Sequence, residues 1–477
     1  MNIPENIFYF VSAKMPLILL ILSSLSLIVL ILLSYRMHST SRKDHDVEAQ
    51  HERNEIVAGW VYAFIVLSAM AVVASIYFVI KGSGFEGHLL EWINIVVRVM
   101  HITFGIAWIG ASFYFVFLEN ALNRTENVRD ELAGNLWAVH GGGFYYLEKY
   151  KVAPPTVPKQ LHWFKYEAYF TWLSGFALLF IVYYFNASAV MIDPAVLKLP
   201  AWEAITIGIG SFVLAWLVYD RLCKSSLIKR PVLFTITGIV LLFAFAYGYG
   251  HLFSGRAAFI HFGAMIGTLM AANVFFVIIP AQKAMVNAAK MGYAPDATKG
   301  KNALRRSIHN NYFTFPVLFV MVSNHFPSTF GNKYQWLVLA TISLGAAGIK
   351  HWLNLREQGK LSAWIMPASV IILLAAVFIT RPEKPNGECS EVSFAAANSI
   401  IQQRCTSCHS SKPNDDVYTV APNGVKYDTP MEIVGKKDLI MQRVVLTRTM
   451  PQNNKTNMTP EEREIIRCWI EQGAQVK

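Results

Sequence analysis

Pro231–Leu252, PVLFTITGIVLLFAFAYGYGHL, holds no Asp, Glu, Lys or Arg. A helix of about 20 apolar residues crosses the hydrocarbon core of a bilayer, so this stretch reads as a membrane span. Working outward, comparable runs lie at 16–35, 56–80, 92–118, 168–190, 203–219, 257–280, 311–327, 335–352 and 362–380. The run at 311–327 is the weakest, being short and holding Pro316. The expectation is an all-α, polytopic bundle of eight to ten helices in a lipid bilayer. Composition agrees: 54% of the 477 residues are hydrophobic, 15% are charged, and the mean hydropathy is +0.36. Beyond Thr380 the chain turns polar and holds no membrane-length apolar run. This divides it into an integral membrane domain (1–380), a linker (381–390) and a small soluble tail (391–477). The first apolar run is not read as a signal peptide, because its positive charges, Arg36, Arg42 and Lys43, follow it.

The tail carries Cys405-Thr406-Ser407-Cys408-His409. Cys-x-x-Cys-His is the attachment signature of a c-type haem. The two thiols bond to the haem vinyl groups, and the histidine is the proximal iron ligand. No second cysteine pair nearby completes a zinc site. The tail resembles small class I cytochromes c, which commonly carry the sixth ligand in a Met-Pro step. That resemblance favours Met450, followed by Pro451, over Met458 and Met441. Small cytochromes c also pack their first and last helices together. By that likeness Cys389 and Cys468 are either a disulfide or two free thiols. A helix is expected at about 391–403. The last helix opens on Thr459, Pro460 and Glu462, a capping box with proline at the first helical position, and stops at Gly473.

Lys and Arg mark the side of each loop. They crowd the odd-numbered loops, as in Arg124–Lys165 and Lys283–Arg306, and are sparse in the even-numbered ones. Positive loops remain cytoplasmic. The N-terminus and the tail are then periplasmic and the protein sits in a bacterial inner membrane, where haem is attached on the oxidising side. Cys223 falls in a cytoplasmic loop. The net charge of +11 belongs mostly to these loops, not to the nearly balanced tail, and calls for no nucleic acid.

Ionisable groups within spans are costly and commonly functional. Arg98 and His101 share one face of the third span. His251 and His261 flank a short outer loop, and His325 ends the eighth span on the same side. Two histidines on different helices can clasp a b-type haem, with His101 and His261 the leading pair. The alternative is hydrogen bonding between helices. The long loop at 119–167 and the span after it hold the other candidates. Gly141, Gly142 and Gly143 let backbone approach a ligand closely. His140 moves protons near neutral pH. Lys165 and Glu167 orient an anionic heterocycle, and Trp163, Tyr166 and Trp172 offer stacking faces. The competing reading is an interfacial segment with aromatic anchors.

Taken together, HITFGIAWIGASFYF (101–115), HGGGFYYLEK (140–149), HWFKYEAYFTWLSG (162–175) and CTSCH (405–409) resemble the bacterial membrane-bound cytochrome c urate oxidase family, in the same order and over nearly the whole chain. The resemblance implies oxidation of urate to 5-hydroxyisourate without hydrogen peroxide, the electrons passing to haem c and then to a respiratory-chain acceptor. In that scheme His140, Lys165 and Glu167 are the catalytic candidates. Gly142, Trp163, Tyr166, Trp172 and Arg98 contact substrate, and Cys405, Cys408, His409 and Met450 hold the haem. Rival functions are another dehydrogenase or quinol-oxidising subunit with such a tail, or a transporter fused to a cytochrome. A cytoplasmic loop and a periplasmic haem are separated by a core of roughly 30 Å. Either a relay lies between them, or substrate enters the outer half of the bundle near His101.

Overall fold

The computed structural model describes residues 86–381, 388–418 and 420–476. The spans expected at 16–35 and 56–80 lie outside the described residues. Those described are mostly helical. Six helices among them are long and apolar enough to cross a membrane: α1 (Glu86–Ala121), α2 (Tyr166–Tyr184), α3 (Ala201–Lys224), α4 (Pro231–Leu252), α5 (Gly255–Lys290) and α7 (Gln335–Glu357). Two expected spans differ. The eighth is absorbed into α6 (Ala297–Ser323), whose first half is too charged to count as apolar and which runs through Pro316. The tenth is the shorter α8 (Ile365–Ile379), packed on α7.

Helices α2 and α5 each contain a π-helical stretch, Phe180–Tyr184 and Asn273–Ile278. A π turn shifts the helix face by one residue and often marks a functional site. The bundle core gathers Tyr183, Tyr184, Phe212, Tyr249, Phe253, Phe259, Phe262 and Met265 from α2 to α5. Many apolar side chains of α1, including Val99, Ile102 and Ile106, face outward, as a lipid-facing surface requires.

The all-α expectation fails at one place. Leu132–His140 and Gly143–Tyr150 form antiparallel strands β1 and β2, paired from Leu132↔Tyr150 to His140↔Gly143. Gly141 and Gly142 are the turn, with φ of 58° and 80°. Two consecutive positive φ values define the type I′ hairpin turn, in which glycine is unstrained. The expected glycine-rich loop is therefore a hairpin tip, and its glycines serve the turn. Trp137 and Tyr146 pair across the strands at 4.7 Å between ring centroids. Trp137 (67% exposed) and Phe144 (79%) project outward.

The tail has its own core, with Ile401, Ile433, Ile466 and Trp469 at its centre. Helices α9 (Phe394–Arg404) and α11 (Pro460–Glu471) pack together, flanking α10 (Pro430–Gly435) in sequence. The Thr459/Glu462 capping box is formed at α11, and Gly473 follows with φ 96°. Cys389 and Cys468 form a disulfide, with Cα atoms 5.2 Å apart. Arg404 grips Glu462 through Nε and Nη2 at 2.8–3.1 Å.

The tail docks on the end of the bundle where α2 finishes. Gln452 Nε2 donates to Ala189 O (3.1 Å), and Asn453 Nδ2 donates to Ala189 O (2.8 Å) and Ile192 O (2.7 Å). Nearby, Thr449 lies so close to Gly331 that a Cβ there would meet its Cγ2 at 2.6 Å.

Candidate functional site

Four groupings of polar side chains stand out among the described residues, and the first is the cysteine–histidine motif of the tail. Cys405 follows α9, its amide still bonded to Ile401 O, and the His409 amide returns to Cys405 O at 2.9 Å. This one-turn geometry sets both thiols and the imidazole on a single loop. His409 Nδ1 lies 3.0 Å from Val425 O. A carbonyl only accepts, so Nδ1 carries the proton and Nε2 keeps its lone pair for a metal. Burial pushes the Cys405 thiol up to about 12 and the Cys408 thiol up to about 11. Burial also lowers His409, leaving a neutral ring at pH 7. Met450 is half-buried against the same core as Cys405, its backbone clamped by Arg443 O and Arg463 Nη1. Met458, by contrast, is buried in the core itself. Two thiols, a correctly polarised imidazole and a half-buried thioether fit a covalently held haem.

The second grouping surrounds His261, which is fully buried. Its Nδ1 donates to Ala257 O (2.8 Å), and Tyr184 OH lies 3.2 Å from Nε2. The rings of Tyr183, Tyr184, Phe212, Tyr249 and Phe253 enclose it. Gly208 closes one side: a Cβ there would sit 2.9 Å from His261 Nε2 and 3.1 Å from the Tyr184 hydroxyl. His101 sits elsewhere, its Nδ1 donating to Thr171 O (3.0 Å) beside Ser174 Oγ (3.2 Å), with Gly175 beneath the ring. Both ring nitrogens of His261 are engaged, so the residues present do not fit a b-type haem clasped by His101 and His261. Of the other two histidines on that side, His251 bonds back to Tyr247 O and His325 is exposed.

The third grouping was missed by the sequence reading. Arg306, 1% exposed, donates Nη2 to Asp220 Oδ1 (2.7 Å) and Nη1 to Asn273 Oδ1 (3.1 Å). Asn273 Nδ2 reaches Tyr219 OH and Asn310 Oδ1, and Tyr219 OH meets His309 Nδ1 at 2.8 Å. The guanidinium also lies 4.9 Å from the Tyr219 ring centroid. The signal was the run Arg305-Arg306-Ser307-Ile308-His309-Asn310-Asn311, which reads as a charged loop until α6 is seen to bury it. Cys223 is buried at the edge of this network, 3.8 Å from His309 Nδ1.

The expected substrate residues separate into places. His140 and Gly142 are exposed on the hairpin tip. Arg98 bonds to Asn94 Oδ1 along α1 at 2.7 Å. Trp163, Lys165, Tyr166 and Glu167 gather at the start of α2. Lys165 is its N-cap residue, with Nζ 4.9 Å from the Tyr166 ring centroid, and it makes no ion pair among the described residues. Trp163 packs with Ala168 and Val274. Glu167 Oε2 is buried without a hydrogen-bond partner. Trp172 donates Nε1 to Thr268 Oγ1 (3.1 Å) on α5.

Six helices long and apolar enough to cross a membrane, packed around a largely aromatic and apolar core, are consistent with an α-helical membrane protein. Residues 87–381 match the family described as urate oxidase N-terminal, which is more than half of the chain, and the chain belongs to that family. Comparison with curated proteins and with solved structures gave no match. The family points to urate chemistry and to an oxidoreductase.

Proposed function

We propose that this protein oxidises urate to 5-hydroxyisourate in a bacterial inner membrane, with the tail on the periplasmic face. The electrons leave to a respiratory-chain acceptor, and water supplies the new hydroxyl, so no hydrogen peroxide forms. Urate is a flat anion. The N-terminus of α2 presents unpaired backbone amides and a positive dipole end, reinforced by Lys165. Trp163 and Tyr166 give faces to the rings. The unpartnered Oε2 of Glu167 accepts a ring N–H and takes up the proton lost on oxidation. Haem c would be held by Cys405, Cys408, His409 and Met450, and would supply a one-electron acceptor. The hairpin residues His140 and Gly142, and Arg98 on α1, stand apart from this cluster and are not used in it.

The observation that carries this reading is the family-matched bundle joined to a docked tail whose His409 is hydrogen-bonded as an iron ligand is. The test is anaerobic addition of urate to the purified full-length protein. The reduced c-haem bands should appear and 5-hydroxyisourate should form. A haem that stays oxidised with saturating urate refutes the reading.

A further inference from the structure

The distal half of the hairpin, residues 137–146, holds no Asp, Glu, Lys or Arg. Its side chains alternate between two faces. Trp137, Val139, Phe144 and Tyr146 form one face, and Ala138 and Tyr145 lie on the other. All of these except Ala138 are exposed, Val139 at 66% and Tyr145 at 53%. Charge is gathered at the base instead. There Lys149 pairs with Glu119 in the last turn of α1, and Arg129 pairs with Glu131 and Glu148. The main chains of Asn123 and Asn135 exchange hydrogen bonds of 2.8 and 3.1 Å. The base is thereby tied to the end of α1. Outward-facing rings lead up to that point: Tyr114 and Phe115 of α1 are exposed, and Phe115 meets Phe164 at 4.8 Å between ring centroids.

We propose that the hairpin tip lies in the headgroup layer of the bilayer, in the leaflet where α1 ends and α2 begins, with Trp137, Val139, Phe144, Tyr145 and Tyr146 as its anchors. On the orientation proposed above this is the cytoplasmic leaflet. The inference rests on α1 and α2 as membrane spans and is independent of the urate reading.

Lipid fits this tip better than a protein partner does. A strand pair that docks on a protein needs one apolar face and keeps the other polar for water. Here both faces are apolar and the tip is uncharged, so its surroundings must be apolar all round. The residue types suit the boundary layer. Tryptophan and tyrosine bury a ring while their N–H or O–H reaches headgroups and water. His140, exposed beside the turn, brings a further polar ring to that level. Depth is bounded from both ends. The outer edge of each strand carries unpaired N–H and C=O groups, which the hydrocarbon core does not tolerate. The charged base, held by Glu119 and Glu148, stays in water. From Trp137 to His140 the strand rises about 10 Å, at about 3.3 Å per residue. Amphipathic segments settle about 5–10 Å into the headgroup and acyl boundary, so the uncharged part of the hairpin matches that layer in length.

The experiment uses the full-length protein, labelled with fluorotryptophan and placed one protomer per disc in nanodiscs of phosphatidylcholine and phosphatidylglycerol. The chain holds 12 tryptophans, and the fluorine resonance missing from Trp137→Phe is that of Trp137. The remaining resonances should be unmoved in that variant, which shows that its fold is kept. Lipid carrying a nitroxide near the top of its acyl chain should broaden the Trp137 resonance to loss. A water-soluble nickel chelate should leave it visible. Loss of the resonance to the chelate overturns the proposal, because the tip is then in water. A resonance that survives both probes also overturns it, because the tip is then covered by protein; with one protomer in each disc, that cover comes from the chain itself.

Discussion

Gly208 and Gly210 stand two residues apart on α3, and replacing each by alanine should have opposite effects. A Cβ at position 210 meets nothing within 4 Å. Alanine there only gains helix propensity and should be neutral or stabilising by about 0.5–1 kcal/mol. A Cβ at position 208 meets His261 Nε2 at 2.9 Å and the Tyr184 hydroxyl at 3.1 Å. His261 is fixed by Ala257 O and enclosed by five aromatic rings, so neither partner retreats easily. Overpacking of this kind costs about 1–3 kcal/mol. Separating the Tyr184–His261 pair adds about 0.5–1.5 kcal/mol. Set against the same propensity gain, Gly208→Ala should be destabilising by about 0.5–4 kcal/mol, combining these terms. Thermal unfolding of both variants in one detergent, followed by tryptophan fluorescence, measures the difference. Equal midpoints for the two would refute the packing described around His261.

Asp220→Ala strips a partner from the buried Arg306 guanidinium, and breaking a buried pair from one side costs about 3–5 kcal/mol; thermal unfolding of the bundle measures it. Replacing Cys389 and Cys468 together by serine opens a loop with a sequence separation of 79, which by chain entropy removes about 4–5 kcal/mol from the tail; unfolding of the full chain with and without reductant checks this. The hydrogen bonds from Arg404 hold the Glu462 carboxyl below its ordinary value, and those from Arg467 do the same for Glu464. Folded values below the unfolded value mean stability that is present above about pH 4.3 and is lost as pH falls through the depressed values. An acid titration of tail unfolding should show this, and Arg404→Met should move the loss to higher pH. On the proposal that the tail binds haem c, Met450→Ala should abolish a sixth-ligand signature in the haem spectrum and lower the potential; an unchanged spectrum and potential would refute Met450 as the ligand.

The expected span at 231–252 is α4 residue for residue, because Arg230 and Phe253 bound a run with no internal ambiguity. Other limits shifted where charge and burial coincide. Arg305 and Arg306 read as a cytoplasmic loop, yet α6 carries Arg306 into the bundle, where Asp220 and Asn273 satisfy it. Helix α5 runs on to Lys290, beyond the expected 280, through a π stretch that hydropathy does not register. The hairpin is legible in principle: Gly141-Gly142 between runs rich in aromatic residues is a turn signal, which neither the ligand-loop reading nor the interfacial-anchor reading uses. In the tail, the Thr459/Glu462 cap and the Gly473 stop stand as read, since capping is local chemistry. The Cys389–Cys468 pairing is a tertiary fact on which spacing was silent. His261 was legible as a costly intramembrane histidine. Its partner Tyr184 was not, because a tyrosine in an apolar run looks like any other ring.

Asn453 holds the tail by reading main-chain carbonyls, those of Ala189 and Ile192. A carbonyl is present whatever side chain stands beside it. Over evolutionary time the bundle's half of this dock is therefore free to drift in sequence, while the amides of Gln452 and Asn453 are constrained. Covariation between homologous chains would leave the contact nearly silent, and the tail would carry the conserved record of where it sits.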